Sequence, residues 1–96
     1  MHKVTSFYKY GSVDSPEQLR DRIRSVCEKL GLLGRILIAS EGINGAFSGK
    51  TGGVEEFKSW LKKDLLSDLT FREQSCDENV YHKLVVRVRD EMVRFG

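Results

Sequence analysis

Hydrophobic residues recur every three or four positions in one early segment and predict an amphipathic helix there. The positions that would form its buried face are Leu19, Ile23, Val26, Cys27 and Leu30. Pro16 suits the first helical turn, and the Ser15 hydroxyl precedes it as a capping group. Gly31 suits the left-handed residue that ends many helices. The pattern therefore predicts a first helix over residues 15–30.

A second helix and several strands follow from the remaining hydrophobic segments. The helix should open at Thr51-Gly52-Gly53 and bury one stripe of apolar side chains. That stripe is Val54, Phe57, Trp60, Leu61 and Leu65. Short runs of β-forming or alternating residues predict five strands. Their ranges are 5–10, 34–40, 46–48, 69–76 and 83–90.

Turn signals and the order of the elements define the fold class. Residues 41–45, which contain the Asn44-Gly45 pair, predict a hairpin turn between the second and third strands. The order βαββα followed by two strands predicts an α+β, ferredoxin-like fold, in which a split βαβ unit places two helices on one face of an antiparallel sheet. The strand around Phe71 should lie at an edge or extend the loop before the last strand. A chain of 96 residues has room for one such domain, over residues 1–96.

Composition narrows the class of protein without identifying a function. Lys and Arg total 16 and Asp and Glu total 14, so the net charge of +2 gives no strong attraction to nucleic acid or membrane. The longest apolar run, Ile36 to Ala39, is far too short to cross a bilayer. Cys27 and Cys76 suit a reducing compartment better than a disulfide scaffold. These features predict a cytoplasmic domain with no membrane partner.

The sequence contains no set of residues with the spacing of a catalytic or metal site. Cys27 lies on the apolar stripe of the first helix, where a thiol packs as a small hydrophobe. Cys76 and His82 lack the paired spacing of a zinc site, so we predict no metal and no cofactor. Lys50 precedes a glycine-rich helix start that could hold an anion, although a plain turn is the simpler interpretation.

The last strand carries the most informative charges. Its residues form two alternating sets, which are Leu84, Val86 and Val88 on one face and Val85, Arg87 and Arg89 on the other. Burying two arginines without acidic partners would be very costly. We therefore expect Arg87 and Arg89 to lie on the sheet face that the helices leave free.

Two interpretations of these arginines stay open. Beside an aromatic residue such as Tyr8, Tyr10 or Phe47, they could contact RNA or another domain, since RNA-binding sheets stack bases on aromatic side chains. Alternatively, they only form weak ion pairs with surface acids such as Glu41 or Asp90.

Three segments of the sequence resemble one protein family. They are Ser6 to Tyr10, Leu33 to Gly45 and Lys83 to Val93, and the second is the most specific. In this order they resemble the N-terminal domain of the rhodanese-domain tRNA uridine 5-hydroxylases, and together they span nearly the whole chain. The resemblance implies an acylphosphatase-like domain, which agrees with the predicted fold class.

The resemblance also implies a function. In that family the chemistry resides in a rhodanese domain that follows this one and carries the active-site cysteine. This chain would then be an accessory, non-catalytic domain of a tRNA-modifying oxidoreductase, with the rhodanese domain and tRNA as partners. Arg35 and Lys9 lie in the resembling segments and join Arg87 and Arg89 as candidates for RNA binding or domain docking.

Two other functions stay open at this stage. A small acylphosphatase-like hydrolase would use the turn from Lys50 to Gly53. However, the loop after the first strand, Gly11 to Asp14, lacks the arginine that acylphosphatases need. A protein-interaction module would use the free sheet face. The fold class alone does not decide among these functions.

Overall fold

The computed structural model, which describes residues 1–64 and 69–89, contains two helices and five strands in the predicted order. The elements are β1 (His2–Tyr10), α1 (Pro16–Leu30), β2 (Leu33–Ala39), β3 (Gly42–Lys50), α2 (Thr51–Asp64), β4 (Thr70–Cys76) and β5 (Leu84–Val88). The ferredoxin-like α+β fold predicted from the sequence is thereby confirmed. Leu65, which the prediction assigned to the stripe of the second helix, lies outside the described residues.

The strands form one sheet in the order β4-β1-β3-β2-β5. The strand around Phe71 is β4, and it lies at an edge as predicted. The prediction of an antiparallel sheet is wrong for β5, which pairs parallel to β2 and makes the sheet mixed. The register explains this direction: His2 of β1 pairs with both Cys76, the end of β4, and Lys50, the end of β3. β4 therefore ends at the end of the sheet where β2 starts. The connection over 77–83 stays at that end, so β5 also starts there and runs parallel to β2.

Both helices pack on one face of the sheet and enclose the core. Val54, Phe57 and Leu61 of α2 are buried, as the predicted stripe requires. Phe47 of β3 lies at the centre, with its ring centroid 4.8 Å from that of Phe57 and 5.8 Å from that of Phe7. The expectation that Phe47 could lie on the free face beside the arginines is therefore wrong.

The ends of α1 agree only in part with the prediction. Gly31 adopts the left-handed conformation, with φ of 69°, and its N–H donates to the carbonyl of Glu28. This is the C-terminal cap predicted for a glycine at this position. At the other end, the Ser15 side chain makes no cap hydrogen bond, so that part of the prediction is wrong. Its main-chain carbonyl accepts instead from the N–H of Leu19 at 3.0 Å.

The hairpin between β2 and β3 turns at residues 40 and 41, earlier than predicted. The Asn44-Gly45 pair lies inside β3, where Gly45 faces Ile36 across the ladder. A Cβ on Gly45 would come within 2.6 Å of the Arg35 carbonyl oxygen and 2.7 Å of the Ile36 Cα. The glycine is therefore needed for the close approach of two strands and not for a turn.

Candidate nucleic-acid interface

The helices leave one side of the sheet uncovered, and we call this side the open face. Strand register defines it, because residues paired across neighbouring strands point to the same side. One row across the sheet contains Arg72, Ser6, Ala46 and Arg35, and the next row contains Thr70, Tyr8, Asn44, Leu37 and Arg87. Tyr10 and Arg89 lie beyond these rows and line the same concave surface.

Four arginines of the open face have no acidic partner among the residues that the structure describes. Arg35, Arg72, Arg87 and Arg89 are all exposed. Within residues 1–64 and 69–89, no carboxylate lies within 4.0 Å of any of these guanidinium groups. No strand position on this face carries Asp or Glu in the described ranges. Of the two acids proposed as partners in the plain interpretation, Glu41 is exposed at the turn between β2 and β3, and Asp90 lies outside the described residues.

On the opposite side of the sheet, lysines form ion pairs with carboxylates. Lys3 of β1 lies 3.1 Å from a carboxylate oxygen of Glu55 on α2, and Lys58 of α2 lies 3.0 Å from Glu73 on β4. The hydrogen bond from Lys3 holds the pKa of Glu55 below its ordinary value. On this side the charges therefore tie a helix to two strands. Among the described residues, the arginines of the open face form no such bridge between elements.

Tyrosines lie among the arginines. Tyr8 and Tyr10 are 49% and 61% exposed, and their ring centroids are 6.0 Å apart. Together with Tyr81 from the segment before β5, they line a concavity of about 1000 Å³ whose floor includes Ser6 and Ala46. Arginine and tyrosine around a floor of small residues form a surface suited to phosphates and planar bases.

The structure brings some predicted site residues together and separates others. Arg87 and Arg89 face away from the helices, as predicted, and Arg35 lies on the same face. Lys9 pairs with the buried Ile43 and lies on the helix side, in a smaller concavity of about 370 Å³. Lys50 ends β3 and is exposed. Lys9 therefore does not belong to the arginine cluster, and Lys50, two positions beyond Ser48 on β3, does not line the larger concavity.

Sequence reasoning missed two residues of the open face. Arg72 was detectable, because it alternates with Phe71, which packs against the core, and so must point the other way. Tyr81 carried no such signal, since it lies in a segment without regular periodicity.

Some main-chain amides of two other candidate anion sites are already hydrogen-bonded. In the loop after β1, the N–H groups of Gly11 and Val13 donate to the carbonyls of Glu41 and Ser40, both at 2.9 Å. At the start of α2, the N–H of Thr51 donates to the Met1 carbonyl at 3.1 Å. These donors are thus not available to cradle a phosphate.

Cys27 does not have the exposure or the low pKa of a catalytic thiol. Cys27 is fully buried in the core, and burial raises the pKa of its thiol to about 12. Cys76 is half-buried at the end of β4.

In the described part of the chain, no group of three His, Cys, Asp or Glu side chains could hold a metal ion. None of the described helices is both long and apolar enough to span a membrane.

Solved structures with the same fold include two acylphosphatases. The enzyme from Coxiella burnetii superimposes with a TM-score of 0.67 at 17% identity, over 92% of this chain and 93% of its own. The enzyme from Bacillus subtilis gives a TM-score of 0.69 at 14% identity, over 91% of this chain and 99% of its own. At such identities the likeness establishes the acylphosphatase-like fold alone.

Sequence relatives are closer and more specific. The tRNA uridine(34) hydroxylase of Bacillus licheniformis is 39% identical over 93 residues, which is 96% of this chain and 29% of that protein. The tRNA uridine(34) hydroxylase of Acholeplasma laidlawii is 37% identical over 96 residues, or 99% of this chain and 30% of that protein. The chain thus spans about 30% of the length of these relatives. Residues 2–92 match the model of one family, which confirms the resemblance seen in the sequence, and the chain belongs to that family, the UPF0176 acylphosphatase-like domains.

Proposed function

We propose that this domain is an accessory, non-catalytic RNA-binding domain of a tRNA-modifying protein, and that its open face contacts tRNA. The observation that supports this proposal is a cluster of four exposed arginines that have no acidic partner in the described part of the chain, Arg35, Arg72, Arg87 and Arg89. The relatives bear the name tRNA uridine(34) hydroxylase, which supplies the class of RNA. The oxidation of uridine would belong to a rhodanese domain of the same protein.

Arginine is well suited to this role. Its planar guanidinium donates in pairs to phosphate oxygens and is more weakly hydrated than an ammonium group, so its transfer from water to a phosphate costs less. An arginine already paired with a carboxylate would have to break that pair first. The four arginines of the open face have no pair to break within the described ranges.

Phosphoryl hydrolysis is a weaker candidate. The main-chain amides of Gly11 and Val13 donate to carbonyls, and the loop they occupy carries Asp14 where an anion would be repelled. Neither Cys27 nor Cys76 forms a disulfide among the described residues, which agrees with a location in a reducing compartment such as the cytoplasm.

Titration of the chain with unmodified tRNA at low and at moderate salt tests the proposal. Each phosphate neutralised by an arginine releases a counterion, so affinity should fall steeply with salt. Four such contacts correspond to a slope of about −3.6 in a plot of log affinity against log salt. Absence of binding at both salt concentrations would overturn the proposal and leave docking of the rhodanese domain as the role of the open face.

A further inference from the structure

We infer that Tyr8 and Tyr10 form a base-stacking site, so that the open face binds unpaired nucleotides in preference to duplex RNA. This inference rests on the RNA-binding function proposed above and specifies which part of an RNA it recognises. It concerns a contact with bases, whereas the arginines contact phosphates.

The exposure of the two rings is the first argument. Phe7, which directly precedes Tyr8 on β1, is only 3% exposed and belongs to the core, whereas Tyr8 is 49% and Tyr10 is 61% exposed. Neither tyrosine hydroxyl has a hydrogen-bond partner among residues 1–64 and 69–89. Two adjacent aromatic rings exposed on a strand contribute little to the core and are available to a ligand.

The shape of the surface around the rings is the second argument. Arg72 on β4 and Arg35 on β2 lie in one row, separated by Ser6 and Ala46. Three strand spacings separate these arginines, a distance of about 14 Å. The small residues between them leave a concave floor, and Tyr8 follows Ser6 at the next position on this face of β1. A base lying on the Tyr8 ring would thus have cations on either side for its flanking phosphates.

This arrangement favours unpaired nucleotides for a physical reason. In a duplex the bases are already stacked on one another, and the narrow major groove of A-form RNA excludes side chains. A duplex could then engage the arginines but not the ring faces. Bases in single strands or loops can leave their neighbours and stack on tyrosine, which contributes free energy that a duplex cannot gain.

Fluorescence anisotropy with three labelled probes tests the inference: a short oligouridylate, an abasic phosphodiester chain of the same length, and an RNA duplex. The wild-type chain should bind the oligouridylate more tightly than either other probe. Replacing both tyrosines, Tyr8→Ala with Tyr10→Ala, should weaken oligouridylate binding at least about tenfold and leave the abasic probe unaffected. The matched control, Tyr8→Phe with Tyr10→Phe, keeps both rings and should retain the wild-type affinity.

Other outcomes separate this inference from the function on which it rests. Equal affinity of the wild type for oligouridylate and the abasic chain would overturn stacking, while arginine–phosphate contact would stand. An equal loss for both probes in the alanine variant would also overturn stacking, because the rings would then only maintain the surface. No binding of any probe at low salt would overturn the proposed function itself. If the double alanine variant fails to fold by circular dichroism, Tyr10→Ala alone, at the strand end, provides the same comparison.

Discussion

The hydroxyl of Ser48 donates a 2.6 Å hydrogen bond to Oδ1 of Asn79 and ties the connection between β4 and β5 to the sheet. Ser48 is fully buried on the open-face side of β3. Two residues after Asn79 in that connection, Tyr81 lines the arginine-containing concavity. The hydrogen bond therefore stabilises the attachment of the connection to the sheet and also helps to hold the segment that carries Tyr81 at the candidate interface.

Ser48→Ala should lower the free energy of unfolding by about 1–2 kcal/mol. The variant removes a donor and leaves the Asn79 amide oxygen without its partner, which costs more than a simple exchange of hydrogen bonds with water. Chemical denaturation measures the change. Ser25→Ala, at an exposed position of α1, is the control and should change stability by less than about 0.5 kcal/mol. Equal effects of the two variants would contradict the assigned role of Ser48.

A glycine in β2 should tolerate no side chain. Gly34 has a φ of +156°, and a Cβ there would lie 2.6 Å from the Cα of Phe47. Gly34→Ala should therefore destabilise the fold by about 2–4 kcal/mol through backbone strain and overpacking. Gly52, in the first turn of α2, is exposed and would meet nothing within 4 Å, so Gly52→Ala should stabilise by up to about 1 kcal/mol. Thermal melting measures both changes, and a shift of the two melting temperatures in the same direction would contradict this prediction.

The two helices and the outward direction of Arg87 were predictable because each depends on local periodicity. Ile23 and Cys27 recur on one helical face. In β5 the residues alternate between two faces, and the high cost of burying a charge decides which face points outward. Arg72 could have been found in the same way from the inward position of Phe71. Such patterns show which way a side chain points without any knowledge of the partner strand.

The errors concern contacts between segments distant in sequence. In the sequence alone, Gly45 has the character of a turn residue. The requirement for glycine there comes from the close approach of Ile36 on the neighbouring strand. Phe47 could be placed on neither face until the register with β1 was known. The parallel pairing of β5 with β2 depends on the path of the connection over 77–83, which the sequence pattern does not encode.

The stability of the fold should decrease at alkaline pH because of Cys27. Burial raises the pKa of this thiol from 9.0 to about 12, so above pH 9 the unfolded chain releases a proton that the folded chain keeps. The folded state then binds more protons, and its stability falls as pH rises, by about 1.4 kcal/mol for each pH unit. Cys27→Ala removes this dependence and leaves the other titrating groups in place. A constant difference in unfolding free energy between wild type and variant above pH 9 would contradict the assignment.

Arg87 and Arg89 provide the direct test of phosphate contact by the open face. Both are exposed, and β5 remains anchored by buried Val86, whose carbonyl accepts from Arg24 at 2.9 Å. The double replacement Arg87→Gln with Arg89→Gln should therefore leave the circular dichroism spectrum and melting temperature nearly unchanged. The salt slope of tRNA binding should fall in magnitude by about two, since each lost phosphate contact removes roughly one unit.

A matched variant separates phosphate contact from a general effect of net charge. Lys29→Gln with Lys63→Gln removes the same number of positive charges from exposed positions on the two helices, away from the open face. Contact between phosphate and the open face predicts that this control keeps the wild-type salt slope, because long-range attraction between exposed charges is screened beyond about 10 Å at ordinary ionic strength. An equal reduction of the salt slope in the helix variant and the arginine variant would mean that the affinity comes from net charge. The open face would then not be the RNA-binding surface. A folded arginine variant with an unchanged slope would lead to the same conclusion.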